Sequence, residues 1–419
     1  MKRIFIFGSL FFLLFVASCG SGSGSSNSVT GNKWTVMIYL DADNELIPWA
    51  LTDIEEMQEV GSTQNVTVIL QYDKEGATTK RYKVEKGVLT LIQDMGELDM
   101  SDPDTIQNFV TYSVSNNPAD HYALILWDHG QGWKGRTVAG GSTKSMFNDY
   151  DNGIYNSFLS NYYIAQALAN AQSATGVKLD ILGIDACEMS VIEAAYEFKG
   201  VADILVGSQE LLSVWGWDYD DLLKRLTNKP SMTPSDFALA MVDSFKNYYS
   251  NSTLNDQTIA AIALTKEYSS DGASDIISLA QSVDELALRL ISLMTDLSTQ
   301  AATLQIITNT RVEVQEFDYI YVDLADFSRL LDGDNSPLIQ EYNKILLAEY
   351  HGSEQINTHG LSIVFFDRTS SLDFYYYDPD YCNFDPETET GSRISFINEF
   401  NWDEMMHTYF SYQYPDKTN

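Results

Sequence analysis

Two short runs in this chain combine residue types that can carry out acyl transfer. One is Trp127-Asp128-His129-Gly130 and the other is Asp185-Ala186-Cys187-Glu188-Met189. A thiolate attacks a carbonyl carbon readily, but the thiol must first lose its proton and the leaving group must gain one, and an imidazole within reach can do both. Cys187 as nucleophile and His129 as general base are the candidate pair. A helix beginning just past Cys187 would turn its positive end toward the sulfur and favour the thiolate. Gly130, lacking a Cβ, lets the main chain approach a substrate closely, so the amides of Gly130 and Cys187 are the candidate oxyanion donors.

Taken alone, neither run is specific. A cysteine at a strand end is more often a small buried apolar residue, and His-Gly recurs at His351 and His359. Context separates them: His129 closes a long apolar run and opens into Gly130-Gln131-Gly132-Trp133. His351-Gly352 reads as the C-cap of a helix and His359-Gly360 as a turn before a strand. His121 and His407 read as structural or surface residues.

The elements that must position these groups read as buried strands alternating with helices. Apolar runs at 34–40, 66–72, 122–127, 179–184 and 204–207 predict strands, and a hairpin is expected around Lys86-Gly87. Helices are predicted over 45–60, 103–115, 164–171 and 189–198, and the acidic residues Asp41, Asp43 and Glu45 are placed to cap the first of them. Strands buried on both faces imply a mostly parallel sheet in an α/β/α sandwich, whose reactive groups gather at the carboxyl ends of the strands. At 419 residues the chain is long enough for two cores. The first expected domain, the α/β sandwich, spans 33–250, followed by a mixed α/β domain over 251–419. The latter has strands at 258–264, 319–324 and 361–366, helices at 273–298 and 337–350, and a Tyr/Asp-rich surface loop at 375–389. No G-x-G-x-x-G or Walker-type loop occurs, which argues against a nucleotide enzyme.

Charge narrows the partners. Fifty-nine acids against 25 Lys plus Arg give a net charge of −34, so nucleic acid, which needs a basic footprint, is excluded. Basic peptides and cations would be attracted. Lys2 and Arg3 precede an apolar run over 4–16 of signal-peptide length. Val16-Ala17-Ser18-Cys19 resembles a bacterial lipobox, which makes 1–18 a cleaved signal, Cys19 a lipid anchor and the Gly/Ser-rich 19–32 a flexible tether. The expected location is the bacterial cell envelope, anchored and facing the periplasm, with surface display the alternative. Cys382 reads as a free thiol or a partner for another protein. Asp149, Asp151 and Asn152 have the look of a loose Ca²⁺ loop, though an ordinary Asx turn is the more common reading. No other cofactor is implied, and oligomeric state is not legible.

The segments YALILWDHGQGW and LDILGIDACEMSVIEAAYEF, with WTVMIYLDADNEL, YVDLADFSRLL and HGLSIVFF, resemble the clostripain family of cysteine peptidases over most of the chain. The resemblance implies a caspase-like α/β sandwich and a Cys187/His129 dyad. It also implies peptide or protein substrates cut after Arg or Lys, with Asp185 on the floor of the S1 pocket. Some members carry a second acid before the Gly-Trp pair. Here the stretch 211–215 before Gly216-Trp217 is apolar, and Glu210 and Asp218 flank it as stand-ins. Self-cleavage between the two blocks is implied too, at Lys144 or Arg136. The rival is a catalytically quiet lipoprotein that uses the same scaffold as a binding module.

Overall fold

A computed structural model of the chain describes residues 32–133, 146–149, 157–318, 320–366, 381 and 393–413. In chain order the strands are β1 (Trp34–Ala42), β2 (Val66–Lys74), β3 (Thr79–Glu85), β4 (Val88–Gly96), β5 (His121–Trp127), β6 (Met146–Asp149) and β7 (Ser157–Leu159). There follow β8 (Leu179–Asp185), β9 (Ala202–Gly207), β10 (Thr258–Ala263), β11 (Glu316–Phe317), β12 (Tyr321–Asp323), β13 (Leu346–His351) and β14 (Ser362–Val364). Nine of them form one sheet in the order β13-β10-β9-β8-β5-β1-β2-β3-β4. Its five central strands, β9, β8, β5, β1 and β2, are parallel, and antiparallel strands flank them on both edges.

Every residue of β1 is buried, Thr35 and Asp41 included, as befits a central strand covered on both faces. Its alternate residues feed different cores. Trp34, Val36, Ile38 and Leu40 pack with the helices Ile47–Val60, Tyr219–Asn228 and Pro234–Tyr249. Met37 and Tyr39 belong to the core shared by the helices Pro103–Asn116, Asn161–Thr175 and Ile276–Thr295. The result is the expected three-layer α/β/α sandwich. Local signals start its helices: Asp102 accepts from the Asp104 N–H ahead of Pro103, and Thr233 and Asp236 form a capping box.

Past the expected 250/251 boundary, β10 and β13 extend the main sheet beyond β9, and Ile259 and Ala261 share the core of Phe245 and Tyr249. Two smaller sheets accompany it, one of three strands in the order β11-β12-β14 and the pair β6-β7. The helix expected over 337–350 ends at Ile345 and gives way to β13. Helix-forming Leu, Ala and Glu are overridden there by pairing with β10. His351 therefore ends an edge strand, not a helix, and its Nδ1 lies 2.9 Å from Glu349 Oε2.

Candidate active site

β5 and β8 run side by side in parallel, with Trp127 opposite Asp185. His129 and Cys187 each follow two residues later, so equal offsets carry both to the same end of neighbouring strands. Gly130 closes the gap. A Cβ built on it would stand 2.3 Å from the Cys187 carbonyl oxygen and 2.9 Å from the Cys187 nitrogen, an approach that only glycine permits. The next residue after the cysteine, Glu188, holds φ at +59°. A non-glycine residue there is strained backbone of the kind that clusters at working sites. Glu188 N–H donates to the Glu210 carbonyl at 3.2 Å, which ties the cysteine turn to the segment after β9.

The thiol is half-buried and accepts from the Leu212 N–H at 3.2 Å. Burial pushes it up to about 11; the Leu212 hydrogen bond pulls the other way, and the carboxylates of Glu188, Asp185 and Glu210 add to the rise. It is a thiol at neutral pH until a cation is brought beside it. The candidate cation is His129, whose imidazole is 36% exposed and whose Nε2 lies 3.1 Å from Glu45 Oε1.

The loop that follows His129 is held from several sides. Tyr321, fully buried on β12, donates to the Gln131 carbonyl at 2.9 Å and accepts from the Trp133 N–H at 3.3 Å. Gly132, with φ at +62°, presses on the same hydroxyl, leaving no space for a Cβ. Asn161 Nδ2 donates to the Gly132 carbonyl at 2.9 Å, and Tyr381 packs edge-on against Trp133. Tyr381 in turn donates to the buried carboxyl of Glu193 at 2.6 Å.

Asp185 lies beneath Cys187 and is buried. Its Oδ2 accepts from the Tyr219 hydroxyl at 2.9 Å and the Trp217 N–H at 3.3 Å, while Oδ1 has no partner among the described residues. Gly216 crowds it, with φ at +52° and room for a Cβ only 3.1 Å from the carboxylate. Burial pushes Asp185 up to about 7, against the pull of those two hydrogen bonds. Asp53 on the helix Ile47–Val60 is raised to about 9 by burial and by the charges of Asp185 and Glu56; its Oδ2 accepts from Trp127 Nε1 at 2.7 Å. The other two acids named for the pocket are occupied. Glu210 accepts from Gln355 Nε2 at 2.6 Å and from the Leu211 N–H at 2.8 Å. Asp218 caps the helix Tyr219–Asn228 through the Asp221 N–H at 3.1 Å.

Lys144, Arg136, Cys19 and Cys382 lie outside the described residues, as do the side chains of Asp149, Asp151 and Asn152. Among the described residues no group of three or more His, Cys, Asp or Glu is arranged to hold a metal ion, and no helix is long and apolar enough to cross a membrane. Glu45 departs from its expected role: the cap position of the first helix falls on Leu46 with no side-chain cap, and the Glu45 carboxylate turns to His129 instead. Tyr321, Tyr219 and Asp53 were not legible as site residues, because nothing near them in sequence marks what they touch.

A cysteine and a histidine thus stand at neighbouring parallel strand ends of one helix-covered α/β/α sheet. The chain belongs to the clostripain family, whose sequence model matches residues 38–409. It is 27% identical over 241 residues to clostripain of Hathewaya histolytica, a match covering 49% of this chain and 44% of that protein, less than half of the relative's length. Its fold is similar to that of a secreted C11 cysteine protease from Bacteroides thetaiotaomicron solved with an irreversible peptide inhibitor. The TM-score is 0.64 at 19% identity, covering 89% of this chain and 100% of the other. An inactive zymogen C11 protease from Parabacteroides distasonis is similar at a TM-score of 0.58 and 20% identity, covering 83% and 96% of the two chains.

Proposed function

We propose that this chain is a cysteine endopeptidase in which Cys187 is the nucleophile and His129 the proton carrier. The supporting observation is the register of β5 against β8, with Gly130 backed onto the Cys187 main chain. The thiolate adds to the scissile carbonyl, and the oxyanion is met by the amides of Gly130 and Cys187. The imidazolium then protonates the departing amine, and the neutral imidazole afterwards takes a proton from the water that cleaves the thioester. Asp185 gives the pocket a preference for Arg or Lys, since a buried carboxylate oxygen without a partner gains most from a bound cation. Glu210 and Asp218 contribute through charge alone. The chain is exported and held to the envelope by lipid on Cys19, and its partners are peptides or proteins. Ca²⁺ is not required for the chemistry as drawn.

A fluorogenic panel with Arg, Lys, Leu and Ala before the scissile bond tests this reading. Expected is hydrolysis after Arg and Lys that vanishes in Cys187→Ala. Hydrolysis surviving in that variant would remove Cys187 as nucleophile, and faster cleavage after Leu would remove the basic preference. Mass spectrometry of the membrane fraction should find a lipid-modified N-terminal Cys19; an unmodified N-terminus at another residue would refute the anchor.

A further inference from the structure

The loop that leaves β1 is built to bring one carboxylate to the general base. Asp43 N–H turns back onto Asp41 Oδ1 at 3.1 Å, and Leu46 N–H donates to Asn44 Oδ1 at 2.9 Å, so the loop is set by its own side chains. Asn44, 2% exposed, anchors it to the neighbouring strand end by donating Nδ2 to Asp128 Oδ1 at 2.8 Å. Asp128 immediately precedes His129, and Glu45 immediately follows Asn44. The two strand ends are thus joined by two successive contacts, Asn44 with Asp128 and Glu45 with His129, the second at 3.1 Å. The buried contact fixes the placement and leaves the exposed carboxylate facing the imidazole.

We infer that Glu45 is a positioning residue for His129: it accepts a hydrogen bond from Nε2–H and fixes the ring orientation and tautomer, leaving Nδ1 as the nitrogen for the Cys187 thiol. This rests on the peptidase reading above. The titratable groups nearest His129 are Glu45 on the β1 side, Asp128 on its own β5 strand end, and Cys187, followed by Glu188, on the β8 side. A neighbouring carboxylate holds one tautomer of an imidazole and fixes its ring orientation. Glu45 is largely exposed, so the effect is moderate.

The test pairs a spectroscopic readout with kinetics. In the Cys187→Ala protein, NMR of the histidine ring should show the tautomer signal of the neutral His129 ring redistributed in Glu45→Gln. In the enzyme with Cys187 intact, Glu45→Gln should lower kcat about tenfold with KM nearly unchanged, and Glu45→Asp should recover part of the loss. An unchanged tautomer signal, or kcat equal to wild type in Glu45→Gln, overturns the assignment. A wild-type chain that cleaves nothing would sink the peptidase reading, and the tautomer signal would still decide whether Glu45 orients His129.

Discussion

Gly130 meets Cys187 main chain to main chain, at a separation that a methyl group on Gly130 would violate by standing 2.3 Å from the Cys187 carbonyl oxygen. The contact sets how far the histidine strand end stands from the cysteine strand end. Gly130→Ala should lower kcat/KM by about a hundredfold or more through misplacement, while costing about 1–3 kcal/mol of stability from overpacking. Steady-state kinetics beside a chemical denaturation curve separates the two. An alanine variant with wild-type kcat/KM would show that the spacing is set elsewhere.

The thiol gives a second expectation. The buried Cys187 sulfur is pushed up to about 11 by burial and the surrounding carboxylates, and removing the imidazole takes away the proton acceptor at the neighbouring strand end. Iodoacetamide should then modify His129→Ala slowly at pH 7, at a rate still climbing above pH 9, while the wild type reacts faster near neutrality. Equal rates at pH 7 in the two proteins would deny His129 its activating role.

Stability should fall as pH rises through the neutral range. Asp53 is raised to about 9 and Asp185 to about 7, mainly by burial, against unfolded values near ~3.9. Between those limits the folded state holds protons that the unfolded chain has released. Their contribution is present in full at low pH and is lost as pH climbs through about 7 and then about 9. Asp53→Asn keeps an acceptor for Trp127 and removes the larger of these ionisations, so its melting temperature should exceed the wild type's at pH 8.5 and converge toward it near pH 5. A variant whose melting temperature runs parallel to wild type across that range would contradict the buried-acid account.

Tyr321→Phe removes one hydroxyl and strands two groups, the Gln131 carbonyl and the Trp133 N–H. The expected cost is about 1–3 kcal/mol, with kcat lowered about tenfold through a loosened His129 loop and KM little altered. Circular dichroism melts and initial-rate kinetics provide the check; unchanged kcat would confine Tyr321 to a structural role.

Much of this arrangement was legible in the sequence. The central strands announce themselves as apolar runs, the turn at Lys86-Gly87 joins β3 to β4, and the two strand-end motifs point to His129 and Cys187. Hydrophobic periodicity is a local signal, and it fails where pairing decides. The residues of β13 have a helical composition and become a strand only because β10 offers an open edge. Likewise Glu45 has the residue type and place of a helix cap, and only the packing of β1 against β5 reveals that it faces an imidazole. Tyr321 reaches the Gln131 carbonyl across 190 positions of sequence, a contact no short window contains.

Self-cleavage at Lys144 should appear as a discrete pair of fragments in intact-mass spectra of the wild type after incubation. Cys187→Ala should stay whole. The same fragments from both proteins would place the cut in other hands.

Such a cut would sever the connection between β5 and β8, yet these strands are neighbours in one sheet, joined in register from Ala123 opposite Ile181 to Trp127 opposite Asp185. The amino-terminal piece would carry β1 to β5 and the carboxy-terminal piece β8, β9, β10 and β13, each supplying one half of a continuous hydrogen-bonded surface. A nicked chain should therefore run as two bands on a denaturing gel and as a single peak in size exclusion. Base and nucleophile would then sit on different polypeptides, which makes the processed protein a heterodimer drawn from a single translation product, its active centre lying on the seam.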